Sequence, residues 1–412
     1  MNMNLPCRFC NSALKHTFLD LGMSPLANSY LEAVNLYRME PFYPLHVFFC
    51  EECLLVQLTE FESSEAIFSD YAYFSSFSES WLKHSEDYTL LMIDRFGLKP
   101  TDFVVEVASN DGYLLQYFKE KGIPVLGIEP AENVAKVAIE AGIPSLTEFF
   151  GTQTATKLAN GGQKADLLLG NNVLAHVPDL NDFVKGLKIL LNDDGVITME
   201  FPHLLQLVEK NQFDTIYHEH FSYFSFTAVQ RVFKAHGLEL FDVDMLPTHG
   251  GSLRIYGRHT EDSSKEISEN VYALLDTEKK KGMTGSEFYV SFAEKVKSIK
   301  REILQFLIRE KGSGKNIVAY GAPAKGNTLL NYCGIGTDFI DYTVDLSPHK
   351  QGKYLPGTHI PIHPPEQIFK TKPDYVILLP WNLKEEIMGQ MSAIREWGGR
   401  FVTLIPSVEV ID

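Results

Sequence analysis

From residue 103 onward, short apolar runs alternate with amphipathic stretches of helical period, and this alternation predicts strand–helix pairs. Residues 103–107 (FVVEV) read as a buried strand, followed by a helix from Gly112 through Leu114, Leu115 and Phe118. Residues 125–129 (VLGIE) form a second strand, with a helix over 131–140 behind it. The strand 166–170 and the helix 182–191 make a third pair, and 196–200 is a further strand stopped at Pro202. A helix over 227–236 precedes two strand-like runs, 239–244 and 252–257, placed to close the far edge of the sheet as a hairpin. Residues 261–312 are polar and Lys/Glu-rich with helical spacing, and read as a connecting helical arm. The pattern then restarts with the strand 317–320, a glycine-bearing loop at 321–326 and a helix, and continues through strands at 339–344, 375–379 and 401–404. Strands that alternate with helices argue for parallel, doubly wound sheets. The fold class is therefore α/β, with two Rossmann-like units in series and the second smaller.

Upstream of residue 103 the pattern differs. A helix with apolar spacing through Trp81, Tyr88, Leu91 and Met92 ends near Gly97, and the aromatic, serine-rich stretch 68–76 precedes it. Residues 1 to about 65 hold four of the chain's five cysteines, as the pairs Cys7-x-x-Cys10 and Cys50-x-x-Cys53. Two such pairs can converge on one tetrahedral metal, and a closed four-sulfur shell leaves no position for a reacting ligand. The module is read as a structural zinc site. Its separation by residues 11–49 is longer than a usual zinc ribbon and leaves room for an inserted segment. Two disulfides are the alternative, disfavoured in a reducing compartment. Cys333 reads as an ordinary buried residue.

Composition narrows the class. The 412 residues suffice for two or three domains, with 45% hydrophobic and 22% charged residues. No apolar run reaches the ~18–20 residues of a membrane span. Residues 1–6 have neither a basic start nor an apolar core, so a cytoplasmic protein is expected. A net charge of −16 argues against coating a nucleic acid, and leaves open one anionic small molecule held by local Lys and Arg residues.

Two stretches carry candidate ligand chemistry. The turn after the first strand, Glu106-Val107-Ala108-Ser109-Asn110-Asp111-Gly112, lies where doubly wound sheets bind ligands. It has one glycine and carboxylates in place of a full GxGxxG. Carboxylates repel a pyrophosphate and suit a cationic amino acid or a sulfonium, while Glu129, closing the second strand, is placed to accept from two ribose hydroxyls. This fits S-adenosylmethionine better than NAD; loop-capping carboxylates are the alternative. Asn172 and His176, after a later strand, would face cofactor and substrate from the same edge.

The seven residues Tyr217-His218-Glu219-His220-Phe221-Ser222-Tyr223 pack two imidazoles, a carboxylate and two phenols together, in a chain with 13 histidines overall. An imidazole takes up a proton near neutral pH, a neighbouring carboxylate can orient it, and a phenol can donate to a developing oxyanion. A metal pair at His218 and His220, or a satisfied polar turn, are the competing readings. Tyr71 and Tyr73 are either site residues or core aromatics.

These residues together resemble the S-adenosylmethionine-dependent sugar C-methyltransferases that act on nucleotide-linked 4-keto-deoxysugars. The resemblance spans essentially the whole chain. It rests on the two CxxC pairs, on Glu106-x-Ala108-x-Asn110-Asp111-Gly112, on Gly127-Ile128-Glu129-Pro130 and on Asn171-Asn172-Val173-Leu174-Ala175-His176. Tyr217-His218-Glu219-His220, Gly250-Gly251-Ser252-Leu253-Arg254 and Gly321-Ala322-Pro323-Ala324-Lys325-Gly326-Asn327 complete it. It implies a zinc domain at 1–66, a class I methyltransferase domain at 67–258 and a Rossmann-like C-terminal domain with the helical arm at 259–412. It further implies His220 as the base that removes the proton beside the C4 ketone, usually at C3. Tyr217, His176 and Glu219 would surround the ketone, with Tyr71 reaching in. Glu106, Asn110, Asp111, Gly112, Glu129 and Asn172 would hold the cofactor. Lys325, Arg254 and Asn327 would contact the sugar nucleotide, dTDP-linked by the family's habit; a packing turn is the alternative for the 321–327 loop. The expected state is a monomer or small homo-oligomer without membrane or nucleic-acid partners. Methyl transfer to oxygen or nitrogen, a zinc-dependent scaffold with a vestigial fold, and an NAD-dependent sugar oxidoreductase are the other classes considered.

Overall fold

The computed structural model describes residues 5–61 and 75–412. Strands β1 (His16–Ser24), β2 (Tyr43–Phe49) and β3 (Val56–Leu58) form an antiparallel meander at the N-terminus. In β2 the inward positions Leu45, Val47 and Phe49 alternate with partly exposed ones, the period-2 pattern of a half-buried strand. Helix α1 (Glu79–Phe96) starts at Ser78, whose hydroxyl accepts the Trp81 N–H, and stops at Gly97 in the left-handed region (φ 63°). Its buried face is Ser85, Tyr88, Thr89 and Met92. Leu91, expected on that face, is 42% exposed, because a residue one step from Met92 points about 100° away.

The central sheet contains β4 (Val104–Val107), β5 (Val125–Ile128), β6 (Ser145–Leu146), β7 (Ala165–Asn171) and β8 (Leu191–Pro202). Strand β9 (Ser222–Tyr223) leaves this unit to pair with β3, and β10 (Leu238–Leu246) and β11 (Ser252–His259) return to it. The sheet order is β10-β11-β8-β7-β4-β5-β6. Strands β4 to β8 are parallel, β11 runs antiparallel to β8, and β10 antiparallel to β11. The expected hairpin is present and β10 is the edge. Helices α2 (Leu115–Glu120), α3 (Glu132–Glu140), α4 (Thr152–Asn160), α5 (Leu180–Leu190), α6 (Leu204–Glu209) and α7 (Phe226–Ala235) make the connections. Helix α4 and strand β6 were not read from the pattern: both are short, and α4 buries only Thr154, Ala155 and Leu158.

The 261–312 stretch is two helices, α8 (Glu269–Lys280) and α9 (Ser286–Gly312). Far from being a polar arm, α9 buries Tyr289, Phe292, Val296, Ile299, Ile303, Phe306 and Leu307. Phe292 stacks on Phe18 of β1 (5.2 Å) and Tyr289 on Phe49 of β2 (4.8 Å), while Phe306 meets Tyr375 of the last sheet edge-on (5.5 Å). One core therefore joins the cysteine module, α9 and the C-terminal unit. That unit holds β12 (Ile317–Tyr320), helix α10 (Ala324–Cys333), β13 (Thr343–Val344), β14 (Ile362–His363), β15 (Tyr375–Leu378), β16 (Arg400–Thr403) and β17 (Glu409–Ile411), with sheet order β14-β13-β12-β15-β16-β17. The strand expected over 339–344 is ladder-bonded only at Thr343 and Val344. Cys333 is buried, and burial pushes its thiol up to about 12, so it is an inert core residue. Among the described residues no helix is long and apolar enough to cross a membrane.

Candidate active site and cysteine cluster

Strand order reverses at β4, with β5 on one side and β7 on the other. At such a switch point the loops beyond the strand ends splay and leave a ligand crevice. The turn that follows β4 is unusual: Ala108 (φ 57°), Asn110 (φ 50°) and Gly112 (φ 80°) are all left-handed. For Ala108 that conformation costs about 1–2 kcal/mol. Gly112 is required twice over, since a Cβ there would also lie 2.9 Å from Ile143 Cγ1.

The polar groups of this turn are partly satisfied. Glu129 accepts the N–H groups of Asn110 and Ala131, both at 2.9 Å. Asp111 accepts from the Ser76 N–H (3.1 Å) and hydroxyl (2.6 Å), and Asn110 from the Ser75 N–H (2.9 Å). Glu106 faces Tyr113, while one oxygen of Asp111 and both amide atoms of Asn171 at the end of β7 have no partner among the described residues. Burial holds the Glu106 carboxyl well above its usual range, and Asp111 and Glu129 push it further, against Tyr113. Buried polar atoms without partners at a switch point are groups that a bound ligand can satisfy. A cationic amino-acid or sulfonium group suits carboxylates so placed, and a pyrophosphate does not. The donor set of Glu106, Asn110, Asp111, Gly112 and Glu129 fits S-adenosylmethionine. Asn172, at φ 56°, gives its amide to His249 Nε2 (3.0 Å).

Beside this edge sits the histidine cluster. A backbone carbonyl can only accept, so the 2.9 Å contact of His220 Nδ1 with the Thr215 carbonyl puts the proton of the neutral ring on Nδ1. Nε2 then carries the lone pair, and the Tyr217 hydroxyl donates to it at 2.8 Å. Burial holds His220 well below its usual range, with the His176 and His249 rings adding to the effect and Thr215 opposing it. His176 lies edge-on at 4.7 Å and burial pushes it down to about 4, so both rings are neutral at pH 7. The void that His220 and Thr215 share with Phe201, Pro202 and Phe224 is about 10 Å³, the space of a single water.

Sequence reasoning and structure differ at several residues. The carboxylate expected to orient an imidazole, Glu219, instead accepts the side-chain amide of Asn28 (2.6 Å), and the Thr215 carbonyl does the orienting. Arg254 is buried in an ion pair with Glu200 (2.6 Å), whose other oxygen meets His84 (2.8 Å), and is not presented to a ligand. Asn327 donates to the Ala27 carbonyl (2.6 Å) and ties α10 to the cysteine module. In the 321–327 loop, the Gly321 N–H is spent on the Val344 carbonyl and the Ala322 N–H on Asp345. Lys325 does face the central unit. It bonds Asn382 and lies over Trp381 (4.2 Å), whose indole N–H donates to Asp214 (2.6 Å), and burial lowers it to about 8. Tyr71 lies outside the described residues, as does Tyr73. His218 Nε2 donates to the Pro44 carbonyl (3.3 Å), and no metal-ligating cluster among the described residues includes it.

Three residues were missed. His249, in the left-handed region at φ 52°, bonds Asn172 and packs on Trp81 at 5.2 Å. Its only signal was its place before Gly250-Gly251, where a Cβ on Gly250 would strike Trp381 at 2.5 Å. Thr215 contributes a carbonyl, which any residue has. Asn28 lies far off in sequence.

The four thiols of Cys7, Cys10, Cys50 and Cys53 lie within 4.8 Å of one another, with Cys7–Cys53 and Cys10–Cys50 sulfurs 3.5 Å apart and no disulfide. Zinc–sulfur bonds of about 2.3 Å in a tetrahedron separate sulfurs by about 3.8 Å. The cluster fits a closed structural zinc site.

A seven-stranded sheet of this order, an acidic ligand turn at its switch point and a four-cysteine module define a methyltransferase of the class I fold with an appended zinc domain. Three family models match in succession: "Putative zinc binding domain" over residues 7–68, "Methyltransferase domain" over 84–243 and "C-methyltransferase C-terminal domain" over 247–406. The C-methyltransferase NovU of Streptomyces niveus is 35% identical over 405 residues, covering 98% of this chain and 96% of that protein. The chain belongs to this family of S-adenosylmethionine-dependent C-methyltransferases. A ubiquinone biosynthesis O-methyltransferase of Bartonella tribocorum is 30% identical over 107 residues, 25% of this chain and 43% of that one. Among solved structures, magnesium protoporphyrin IX methyltransferase (ChlM) of Synechocystis with bound SAM aligns with 43% of this chain and 78% of its own, at 14% identity and a TM-score of 0.33.

Proposed function

We propose that the protein transfers a methyl group to the carbon beside the C4 ketone, at C3, of a nucleotide-linked 4-keto-deoxysugar, with a dTDP carrier. The observation that supports this best is the His220 ring, buried, neutral and fixed by Thr215 so that its Nε2 lone pair points to Tyr217. The Tyr217 hydroxyl occupies the position of the proton to be removed. When substrate displaces it, Nε2 takes the C3 proton and the phenol is free to donate to the oxygen that becomes an enolate. His176, neutral, is held by a hydrogen bond to the Glu219 backbone and packs edge-on against the base. S-adenosylmethionine, when bound, supplies an electrophilic methyl group. Glu106, Asp111 and Glu129 hold its charged and ribose ends so that the carbanion meets the methyl in line. The proton leaves from His220 to solvent.

On this reading residues 1–66 brace the site, 67–258 perform the transfer and 259–412 help hold the sugar nucleotide through Lys325, in a cytoplasmic enzyme acting alone or as a small homo-oligomer. The test is mass spectrometry of a reaction with S-adenosylmethionine and a dTDP-4-keto-deoxyhexose. A sugar nucleotide heavier by one methylene, with the new methyl on carbon by NMR, is expected. His220→Asn should lower turnover by about 10²–10⁴-fold with cofactor binding retained. Methyl transfer to oxygen, or turnover within a few-fold in the variant, would overturn the reading.

A further inference from the structure

Arg8 stands inside the first cysteine knuckle, between Cys7 and Cys10. Its backbone N–H donates to Gln57 Oε1 (2.8 Å), and Gln57 Nε2 donates to Cys7 Sγ (3.1 Å), so its position is set by the sulfur cluster. Its carbonyl accepts from Asn181 at the start of α5 (3.1 Å). The guanidinium reaches away from the cluster. One nitrogen donates to the Pro178 carbonyl (2.9 Å) and toward that of Val177 (3.4 Å), the other to the Leu58 carbonyl, and the group lies 5.4 Å from the Phe221 ring centre.

Those carbonyls belong to a closed circuit. The Leu58 N–H donates to Phe221 O (3.0 Å), and the Phe221 N–H to Ala175 O (2.7 Å). His176 lies between Ala175 and Val177, and His220 immediately precedes Phe221. Arg8 thus closes a ring through Leu58, Phe221, Ala175 and Pro178 that contains His176 and is flanked by His220, the two imidazoles lying 4.7 Å apart. It makes no carboxylate ion pair among the described residues. The hydrogen-bond acceptors around this part-buried guanidinium are carbonyls, with the Glu60 and Asp179 carboxylates acting at longer range, so its desolvation is only partly offset.

We infer that Arg8 is a positioning residue for His176 and His220, through which the cysteine cluster fixes the geometry of the reaction centre. A lysine would keep the charge and lose the planar fork that bridges Leu58 to Pro178. The proposal rests on His220 being the base, so its test separates the two. In the full-length zinc-loaded protein, Arg8→Lys and Arg8→Gln are compared with wild type for zinc content, S-adenosylmethionine affinity, kcat, KM and the ¹⁵N resonances of the histidine rings. The expected result is unchanged zinc and cofactor affinity in Arg8→Lys, kcat down about 10- to 100-fold with KM within a few-fold, and shifted or broadened His176 and His220 signals. Arg8→Gln should show the same ring changes more strongly. Unmoved ring signals, or kcat within twofold of wild type in folded, zinc-replete Arg8→Lys, overturn the inference. If ring signals move in Arg8→Lys but His220→Asn keeps its turnover, Arg8 positions the rings and the base assignment is what fails.

Discussion

Replacing Glu219 by Gln should make the ligand-free protein more stable at alkaline pH and change it little in acid. Glu219 is 5% exposed, and burial raises its carboxyl from 4.5 to about 7, against the hydrogen bond from Asn28. Over that interval the folded protein keeps a proton that the unfolded chain has released. Stability therefore falls as pH rises from about 4.5 through about 7, and the full loss is present above it. A gap of about 2.5 pH units is on the order of 3 kcal/mol, of which about 2 kcal/mol accrues between pH 5.5 and pH 8.5. Gln has no proton to lose and keeps an oxygen for Asn28. The stability advantage of Glu219→Gln over wild type should then widen by about 2 kcal/mol between pH 5.5 and 8.5, read from urea denaturation of the zinc-loaded protein at each pH. Parallel curves for the two proteins would refute the reasoning, because they would mean that Glu219 ionises in the fold as it does in water.

Two further variants separate ligand contacts from framework. Gly112→Val adds a side chain at φ 80° where even a Cβ meets Ile143, and it should weaken S-adenosylmethionine binding by at least about tenfold in calorimetry, with a Tm loss of several degrees. Binding within twofold of wild type would remove this turn from the cofactor site. Arg254→Met leaves Glu200 buried without its guanidinium partner and should cost about 3–5 kcal/mol of stability, while KM for the sugar nucleotide in the surviving folded fraction stays within threefold. A KM raised more than tenfold at retained stability would make Arg254 a substrate ligand after all.

The central sheet was legible because β4, β5 and β7 each carry a short, mostly apolar and mostly buried run, and each run is followed by a helix with one apolar stripe. The cysteine meander was not, because β1 spends much of its length in register shifts and carries Met23 and Asp20 outward, so no clean alternation survives. Helix α9 was misjudged for a different reason. Its mean character is polar, and only the spacing of Tyr289, Phe292, Val296, Ile299 and Ile303 reveals a stripe that two partners cover at once.

At the site, chemistry was legible one segment at a time and geometry was not. Glu106, Asp111 and Glu129 cluster because each ends a strand or opens a turn at one edge, a placement that alternation alone dictates. Partner choice depends on contacts between residues distant in sequence. Arg254 was read as a sugar-nucleotide contact because the resemblance at Gly250-Gly251-Ser252-Leu253-Arg254 implies one; its register opposite Glu200 on β8 places it in a buried pair. Glu219 was read as the carboxylate beside a histidine because the two are adjacent in sequence, yet adjacent side chains diverge, and Asn28 from the cysteine module takes the position. The same module reaches further: Tyr30 beside Asn28 donates to the Ala322 carbonyl of the C-terminal loop at 2.6 Å, and Arg8 clamps the loop of His176. A site whose histidines come from one unit and whose constraints come from two others has its residue types written locally and its pKa values written in the packing of all three.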